Sequence, residues 1–262
     1  MRILVTNDDG IDSAGLVALA AAAVDAGAEV AGSSVVVAAP RRDSSGSSAS
    51  LVAVEDRGRF LVEERELPGL PGVAAWAVEG APAFIVRAAL TGAFGPEPDL
   101  VVSGVNRGPN TGHAVLHSGT VGAVLTAGVA GLGGMAVSIG MGEPYHWDTA
   151  RTVARAALGW MLDGDRPGAK GLVLNVNVPN VALGALTGFE PARLADFGVV
   201  QATVAETGSG YVKLNYRQVD GPLEPGTDTA LLAEGKACYT ALRSVDEDPE
   251  ADLEGLGDVL AP

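Results

Sequence analysis

Three clusters of polar residues in this chain follow apolar runs that have the pattern of buried strands. The first cluster, Asn7-Asp8-Asp9-Gly10, comes directly after the run at 3–6. Adjacent carboxylates repel each other, so a cation between Asp8 and Asp9 would favour their placement at one strand end. An isolated Asp-Asp-Gly is more often a turn, but its position after a first strand favours a metal site. Ligands that are all oxygen indicate a hard cation such as Mg²⁺ or Mn²⁺.

The second and third clusters add hydroxyl and amide groups. Residues 41–46 (RRDSSG) offer hydroxyl ligands on a glycine-containing loop, although the same composition suits a flexible surface loop. Residues 103–110 (SGVNRGPN) contain Asn106 and Asn110, which are either turn residues or ligands. Taken alone, this glycine-rich stretch favours turns.

A candidate phosphate site lies at residues 117–120 (HSGT), which open an apolar helix predicted at about 119–130. A helix N-terminus presents free N–H groups and the positive end of the helix dipole, and both bind phosphate. An ordinary Ser or Thr cap needs the same geometry, so the two interpretations are compatible. The histidines His113, His117 and His146 lack metal-ligand spacing. We expect structural roles for them, with His117 the exception worth testing.

The segments around these clusters alternate between strand and helix patterns. Continuous apolar runs predict strands at 3–6, 34–39, 99–103, 135–139 and 171–178, and helical spacing predicts helices at 13–26, 83–91, 119–130 and 148–162. This order predicts an α/β fold with a Rossmann-like, doubly wound, mostly parallel sheet that binds ligands at its carboxyl edge. Shorter strands at 199–205, 211–216 and 236–242 predict a β-rich C-terminal extension, and the acidic stretch 245–256 predicts a solvated helix or loose end.

The composition excludes some classes of protein. The net charge is −15, with 17 Lys and Arg against 32 Asp and Glu and no basic run. Proteins that bind nucleic acid polymers depend on Lys and Arg, so no polymer partner is expected. A small phosphate can still bind where a cation or backbone N–H groups concentrate positive potential. The single cysteine, Cys238, excludes an intramolecular disulfide and a multi-cysteine zinc site.

The sequence also predicts where the protein resides. The chain opens at Met1 on a strand pattern, without the features of a signal peptide, which predicts a cytoplasmic protein. Residues 108–142 contain no Asp, Glu, Lys or Arg, as a membrane span would. Polar residues and a glycine-rich break at 131–134 leave the apolar helix too short for a bilayer of ~30 Å. No membrane association is expected.

Together the clusters resemble the motifs of the SurE family of nucleotidases and acid phosphatases. The matching stretches are Asn7-Asp8-Asp9-Gly10, Pro40-x-Arg42-x-x-Ser45-Gly46, Val102-Ser103-Gly104-Val105-Asn106-x-Gly108-x-Asn110 and Ser118-Gly119-Thr120-Val121, with weaker matches at 174–179 and 226–228. These motifs are jointly highly specific, and the resemblance covers most of the chain. It implies a phosphoric monoester hydrolase. The substrate would be a nucleotide, as for a 5′/3′-nucleotidase, or a related specialised small-molecule phosphate.

The resemblance implies roles for individual residues. One divalent cation per subunit, Mg²⁺ or Mn²⁺, would be held by Asp8, Asp9, Ser45 and Asn106. Phosphate or substrate contacts would come from Asn7, Arg42, Asn110, Ser118, Gly119 and Thr120. Asp8 and Asp9 would be the catalytic residues, and the sequence leaves open whether either acts as general base or nucleophile.

The resemblance also implies an organisation and an assembly. Residues 1–262 are expected to form a single domain with an α/β core at 1–184 and a C-terminal extension and arm at 185–262. Exchange of the arms between subunits would give a homodimer or a homotetramer.

Several positions depart from the family pattern. Ala49 stands where His or Asn is frequent, Arg41 replaces a frequent Asp, and Phe84 and Ile85 replace a polar pair. Loss of polar groups near the substrate predicts a weaker preference for ordinary nucleoside monophosphates, or a more specialised ester. The alternative is that Phe84 and Ile85 face the protein core, which the apolar periodicity of their helix permits.

Two other functions are weighed against hydrolysis. A paralogue that binds metal and ligand without turnover would use the same residues. A nicotinamide-dependent oxidoreductase is disfavoured because the first strand is followed by Asn-Asp-Asp-Gly and not by a Gly-x-Gly-x-x-Gly turn. Two carboxylates at that turn would also repel a pyrophosphate in the absence of a metal ion.

Overall fold

The computed structural model describes residues 1–163, 171–197, 200–209, 211–218, 222–246 and 250. The strands are β1 (Arg2–Thr6), β2 (Ser34–Pro40), β3 (Glu55–Asp56), β4 (Arg59–Phe60), β5 (Val62–Arg65), β6 (Ala74–Val78), β7 (Leu100–Arg107), β8 (Gly133–Ile139), β9 (Val173–Val178), β10 (Phe189–Pro191), β11 (Val200–Gly208), β12 (Tyr211–Gln218) and β13 (Ala237–Leu242). The α-helices are α1 (Ala14–Gly27), α2 (Pro82–Ala89), α3 (Gly119–Val129), α4 (Trp147–Leu162) and α5 (Asp228–Ala233).

A mostly parallel sheet of nine strands forms the centre of the molecule, in the order β10-β13-β9-β8-β7-β1-β2-β6-β5. Strands β9, β8, β7, β1, β2 and β6 are parallel to their neighbours along this run. The chain leaves β1 toward β2 on one side and returns to pair β7 on the other. A crevice at the carboxyl ends of β1 and β7 is the usual ligand site of such a sheet. The predicted doubly wound α/β fold is confirmed.

Helices cover both faces of this sheet. Leu16 and Leu19 of α1 and Leu158 of α4 lie in one core cluster, whereas Val86 of α2 and Val124 of α3 lie in the other. Strand β8 is buried along its whole length, as expected for a parallel strand between two helical layers. Burial of each such Leu or Val side chain stabilises the fold by about 1.5–3 kcal/mol. The sheet is therefore a rigid support for the loops at its edge.

Strand β7 is longer than its predicted range of 99–103 and runs on into the third polar cluster. Its register with β8 shifts between Gly104 and Asn106. Gly104 has a φ of +127°, and a Cβ there would lie 2.1 Å from the carbonyl oxygen of Val137. Only glycine fits this close approach. The irregularity places Asn106 and Arg107 in the strand and not in the predicted turn.

The segment between β2 and α2 contains strands that the sequence did not reveal. Strand β5 (VEER) is an exposed, antiparallel edge strand, and β6 (AAWAV) is rich in alanine. Neither has the β-branched apolar run that identified the central strands. Sequence periodicity therefore missed this side of the sheet.

The C-terminal part of the chain divides between two sheets. Strands β10 and β13 join the main sheet, where β13 is antiparallel to β9. The hairpin β11–β12 forms a separate two-stranded sheet. Residues 247–249 and 251–256 of the predicted acidic tail lie outside the described residues.

Across the parts of the chain that are described, none of the helices combines the length and apolar character that crossing a bilayer requires.

Candidate active site

The loop after β1 is fixed to the start of α1 by the buried side chain of Asn7. Its Nδ2 donates to the carbonyl of Gly10 at 3.1 Å and to Ser13 Oγ at 2.7 Å, and its Oδ1 accepts from the Gly10 N–H at 3.2 Å. Ser13 is also the N-cap of α1. Asn7 thus sets the backbone path that carries Asp8 and Asp9. A substrate contact from Asn7 remains a prediction.

The carboxylate of Asp8 lies buried at the N-terminus of α3. Its Oδ1 accepts from Thr120 Oγ1 at 2.5 Å, and its Oδ2 accepts from the Thr120 N–H at 3.1 Å. Burial is the main cause that raises the pKa of Asp8. The hydrogen bonds from Thr120 oppose this rise, and the charge of Asp9 adds to it. A buried carboxylate with only neutral partners would be stabilised by a cation.

The first turn of α3 is packed closely against this carboxylate. A Cβ at Gly119 would lie 2.9 Å from Asp8 Oδ2 and 2.6 Å from Ser47 Oγ, so the position requires glycine. Ser118 Oγ caps the helix by accepting from the Val121 N–H at 3.1 Å. Within the described chain, the Gly119 N–H donates to no protein acceptor and is therefore available to an anion. Phosphate contacts from Ser118, Gly119 and Thr120 remain predictions.

The carboxylate of Asp9 is held by a cation, Arg107, at the end of β7. Asp9 Oδ2 accepts from the Arg107 N–H at 3.1 Å, and Asp9 Oδ1 lies 3.0 Å from both Nε and Nη2 of the guanidinium. The Asp9 side chain is only 4% exposed, whereas that of Arg107 is 47% exposed. Asp9 is therefore compensated by charge, unlike Asp8.

The loop after β2 brings Ser45 beside these aspartates. The Ser44 N–H donates to the Asp8 carbonyl at 2.8 Å, which ties the loop to the end of β1. Asp43 Oδ1 accepts from the N–H of Ser45 at 2.8 Å and from its Oγ at 2.6 Å. These two hydrogen bonds are the main causes that lower the pKa of Asp43, and the charge of Arg107 contributes. Arg107 Nη2 lies 3.7 Å from Asp43 Oδ2 and so links both loops.

Asn106 and Asn110 occupy different environments. Asn106 donates through Nδ2 to the carbonyl of Gly108 at 2.6 Å, and its Oδ1 accepts nothing from the described residues. Asn110 donates through Nδ2 to Ser138 Oγ at 2.9 Å. Its backbone N–H donates to Asn177 Oδ1, and its carbonyl accepts from the amides of both Asn175 and Asn177, each at 2.8 Å. Asn110 is therefore anchored in a buried amide network, and a phosphate contact from it remains a prediction.

Arg42 and Ala49 lie in the segment after β2, whereas Phe84 and Ile85 lie in α2. Arg42 is exposed and forms no ion pair with any described residue, and Ala49 is exposed as well. Ile85 is fully buried in the core, so the expectation that it borders the substrate is wrong. Phe84 is half-buried, and its ring centroid lies 4.6 Å from that of Phe60. The core alternative therefore holds for Ile85.

The predicted metal ligands fit a hard divalent cation. Their donor set consists of two carboxylates, one hydroxyl and one amide oxygen, and each side chain is oriented by a protein partner. These partners are Thr120 for Asp8, Arg107 for Asp9, Asp43 for Ser45 and the Gly108 carbonyl for Asn106. Within the described residues, no group of three or more His, Cys, Asp or Glu side chains could hold a metal ion. The site is thus unlike a zinc site rich in nitrogen or sulfur.

The family model described as "Survival protein SurE" matches residues 3–199 of this chain. The chain belongs to the SurE family. The 5′-nucleotidase SurE of Nitrosococcus oceani is 36% identical over 246 residues, which cover 93% of this chain and 91% of that protein. The 5′-nucleotidase SurE of Aeromonas hydrophila is 33% identical over 261 residues, which cover 98% and 97%. The crystal structure of the SurE protein from Aquifex aeolicus has the same fold, with a TM-score of 0.74, 24% identity and coverage of 99% and 98%.

Some residues at this SurE site escaped the sequence analysis. Arg107 stood at an unspecified position of the third motif, although it is the one basic residue in residues 103–110. Ser47 Oγ is buried next to Gly119 and has no hydrogen-bond partner among the described residues. Asp43 could have been found as the acidic residue two positions before Ser45, a spacing at which Asp accepts from backbone N–H groups.

Proposed function

We propose that this SurE protein is a divalent-metal-dependent phosphatase that hydrolyses phosphate monoesters of nucleotides. One observation carries the proposal. Asp8 and Asp9 stand at the carboxyl end of β1, each oriented by a different partner. The loop that carries Ser45 is hydrogen-bonded to Asp8 through the Ser44 N–H, and the strand that carries Asn106 is hydrogen-bonded to Asp9 through the Arg107 N–H. Proteins named 5′-nucleotidase SurE align with almost the whole chain, which supports the same activity here.

The cation would be bound by Asp8, Asp9, Ser45 and Asn106, with Mg²⁺ or Mn²⁺ as the expected ions. When bound, it would polarise the phosphoryl oxygens and lower the pKa of a water molecule. The free N–H of Gly119 and the positive end of the α3 dipole would stabilise charge on the phosphoryl oxygens. Burial raises the pKa of Asp8 in the absence of a metal ion, so a bound cation would also stabilise the charged form of this carboxylate.

A phosphate-release assay on the full chain tests this proposal. The panel contains 5′- and 3′-nucleotides and an aryl phosphate, each with Mg²⁺, with Mn²⁺ and with EDTA. We expect release from nucleotides that requires a divalent cation, is lost in Asp9→Asn and persists in a control, Asp56→Asn, whose exposed carboxylate lies in the β3–β4 hairpin. No release from any ester would favour the non-catalytic paralogue.

The same panel examines substrate preference. We propose that Ala49 and the half-buried Phe84 weaken selection for ordinary nucleoside monophosphates, since apolar groups discriminate less than polar ones. Similar kcat/KM values for nucleotides and the aryl phosphate would agree with this proposal. An ordinary nucleotide preferred by several orders of magnitude would overturn it.

We also propose that the C-terminal extension joins subunits in a homodimer or homotetramer. The β11–β12 hairpin forms its own sheet, and Tyr211 and Val212 at its turn are 53% and 61% exposed. Neighbouring exposed apolar side chains of this kind can contribute to a contact surface when they belong to a larger apolar patch. Light scattering coupled to gel filtration would measure the assembly, and the molar mass of one chain would contradict the proposal.

A further inference from the structure

A pocket of about 460 Å³ opens beside Asp9 at the N-terminal ends of α1 and α4. Its wall includes Arg107 and the aromatic side chains Tyr145 and Trp147, and its rim includes Asp12 and Glu143. Its volume lies within the range of small-molecule sites, about 300–1,000 Å³. The pocket borders Asp9, one of the candidate metal ligands, so part of a substrate held by the metal site would extend into it.

The two aromatic rings of this pocket form a supported flat surface. Tyr145 and Trp147 are stacked, with ring centroids 4.9 Å apart and an interplanar angle of 27°. Both side chains are half-buried and pack against the core cluster beneath α1 and α4. A Cβ at Gly15 would lie 3.2 Å from the Trp147 ring, which shows how closely α1 supports it. Aromatic surfaces fixed in this way are suited to stack another planar ring.

The charges around the pocket indicate which part of a substrate it takes. Asp9, Asp12 and Glu143 carry negative charge, whereas Arg107 is engaged by Asp9 and Asp43. Arg41 is likewise engaged, by Glu63 and Glu79. A second anionic group would be repelled here, whereas a neutral ring with N–H donors would find carboxylate acceptors at its edge. These are the properties of a nucleobase.

A second pocket on the other side of the 41–47 loop offers the alternative position. It has a volume of about 320 Å³ and is lined by Arg42, Ser45, Val52, Val54 and Gly80, among others, with no aromatic side chain in its wall. A base placed there would contact aliphatic groups and find no aromatic ring, which leaves the guanidinium groups of Arg41 and Arg42 as its planar partners. The Asp9 pocket is therefore the better match for a planar heterocycle.

We propose that Tyr145 and Trp147 form the platform on which the nucleobase of the substrate stacks. This inference rests on the proposed function, because it assumes that the phosphate of the same molecule is bound beside Asp8 and Asp9. Tyr145 would contact the base directly, and Trp147 would hold Tyr145 in place from behind. Selection for nucleotides over phosphate esters that lack a planar ring then depends on this pair.

The test compares two substrates that share a sugar phosphate and differ in the base. For adenosine 5′-monophosphate, Tyr145→Leu should raise KM about 10-fold, since stacking on one aromatic ring is worth about that factor. For ribose 5-phosphate, KM should stay the same in this variant. Tyr145→Phe keeps the ring and should retain the wild-type KM for both. Equal changes for the two substrates, or no change for either, would overturn the proposal.

Two further experiments distinguish failure of the platform proposal from failure of the proposed hydrolysis. Adenosine alone should quench the tryptophan fluorescence of the wild-type chain, with weaker binding in Tyr145→Leu, whether or not any ester is hydrolysed. No quenching by adenosine, or equal quenching in the variant, would count against the platform.

Val52→Ala removes a contact in the second pocket and should leave the nucleotide KM unchanged. A rise in KM in Val52→Ala alone would place the base there and reject the platform.

Discussion

Asp8 and Asp9 are neighbours in sequence but lie in contrasting surroundings. Asp8 is buried against the first turn of α3, and its donors among the described residues, chiefly the hydroxyl and N–H of Thr120, are neutral. Asp9 faces the pocket and is bound by the guanidinium of Arg107. Burial raises the pKa of Asp8, whereas Asp9 already has a compensating positive charge. Among the described residues, Asp9 therefore has a positively charged partner, the guanidinium of Arg107, whereas Asp8 has none.

This difference indicates how the two aspartates would divide the work of metal binding. Asp8 is held in a fixed geometry, and burial disfavours the negative charge of its carboxylate. A divalent cation would therefore gain most of its electrostatic stabilisation from Asp8. Asp9 must share its carboxylate between the cation and Arg107. Metal affinity should thus depend on the negative charge of Asp8 and on how strongly Arg107 competes with the cation for Asp9. Separate substitutions can vary these two factors.

The largest effect is expected from Asp8→Asn. The amide keeps the shape of the side chain and can still bond with Thr120, but it removes the negative charge of a metal ligand. We expect phosphate release to fall by about 10³-fold or more, because the cation and the phosphate would both lose their position. Activity within tenfold of wild type at saturating Mn²⁺ would show that Asp8 is dispensable.

The same variant should be more stable than the wild type when metal is removed by EDTA. The folded-state pKa of Asp8 lies above its ordinary value of 3.8, so folding favours the protonated carboxyl. That contribution is fully present below about pH 3.8 and is lost as pH rises through the raised pKa. Urea unfolding from pH 4 to 8 should show Asp8→Asn gaining stability over the wild type as pH rises. A constant difference would contradict the raised pKa.

A smaller effect is expected from Thr120→Val. Valine matches the shape of the buried threonine but removes the hydroxyl that donates to Asp8 Oδ1. Loss of a partner that orients a metal ligand typically costs about 10- to 100-fold in affinity or activity. The apparent metal constant in phosphate release measures it. Thr126→Val is the matched control, since Thr126 lies on the same helix and donates only to the Gly122 carbonyl. Equal losses in both variants would indicate a general effect on α3.

The smallest effect, and one of opposite sign, is expected from Arg107→Met. Methionine keeps much of the side-chain length but removes the charge that competes for Asp9. The guanidinium is nearly half exposed, so solvent screening limits the pair to about 0.2–1 kcal/mol. Metal affinity measured by calorimetry should therefore become about 1.4- to 5-fold tighter. Arg107→Lys keeps a charge and should resemble the wild type, and weaker binding in Arg107→Met would contradict the competition.

The sequence predicted the centre of the fold well because its strands are continuous apolar runs. Strands β1, β2, β8 and β9 were found within two residues at each end. The edge strand β5 was missed because exposed, charged residues carry no such signal. Strand β7 was cut short because a sequence with two glycines and an asparagine resembles a turn, whereas Gly104 continues the strand through a bulge.

The site could be predicted in its members but not in their contacts. The motifs named Asp8, Ser45 and Asn106, of which Asp8 and Ser45 come after strands and Asn106 lies near the carboxyl end of β7, at the same edge of the sheet. Spacing along the chain could not reveal that Thr120 donates to Asp8, from a position 112 residues away. It also could not reveal that Arg107 binds Asp9, because only the packing of β7 beside β1 places the two side chains together.

Direct binding of Mn²⁺ tests the central claim, that Asp8 and Asp9 hold one cation jointly. Electron paramagnetic resonance of free Mn²⁺ would be followed in titrations of the wild type, Asp8→Asn, Asp9→Asn and the control Asp56→Asn. We predict one Mn²⁺ site per chain in the wild type and in Asp56→Asn, displaced by excess Mg²⁺, and loss of that site in both active-site variants. Unchanged Mn²⁺ binding in either Asp8→Asn or Asp9→Asn would contradict the claim.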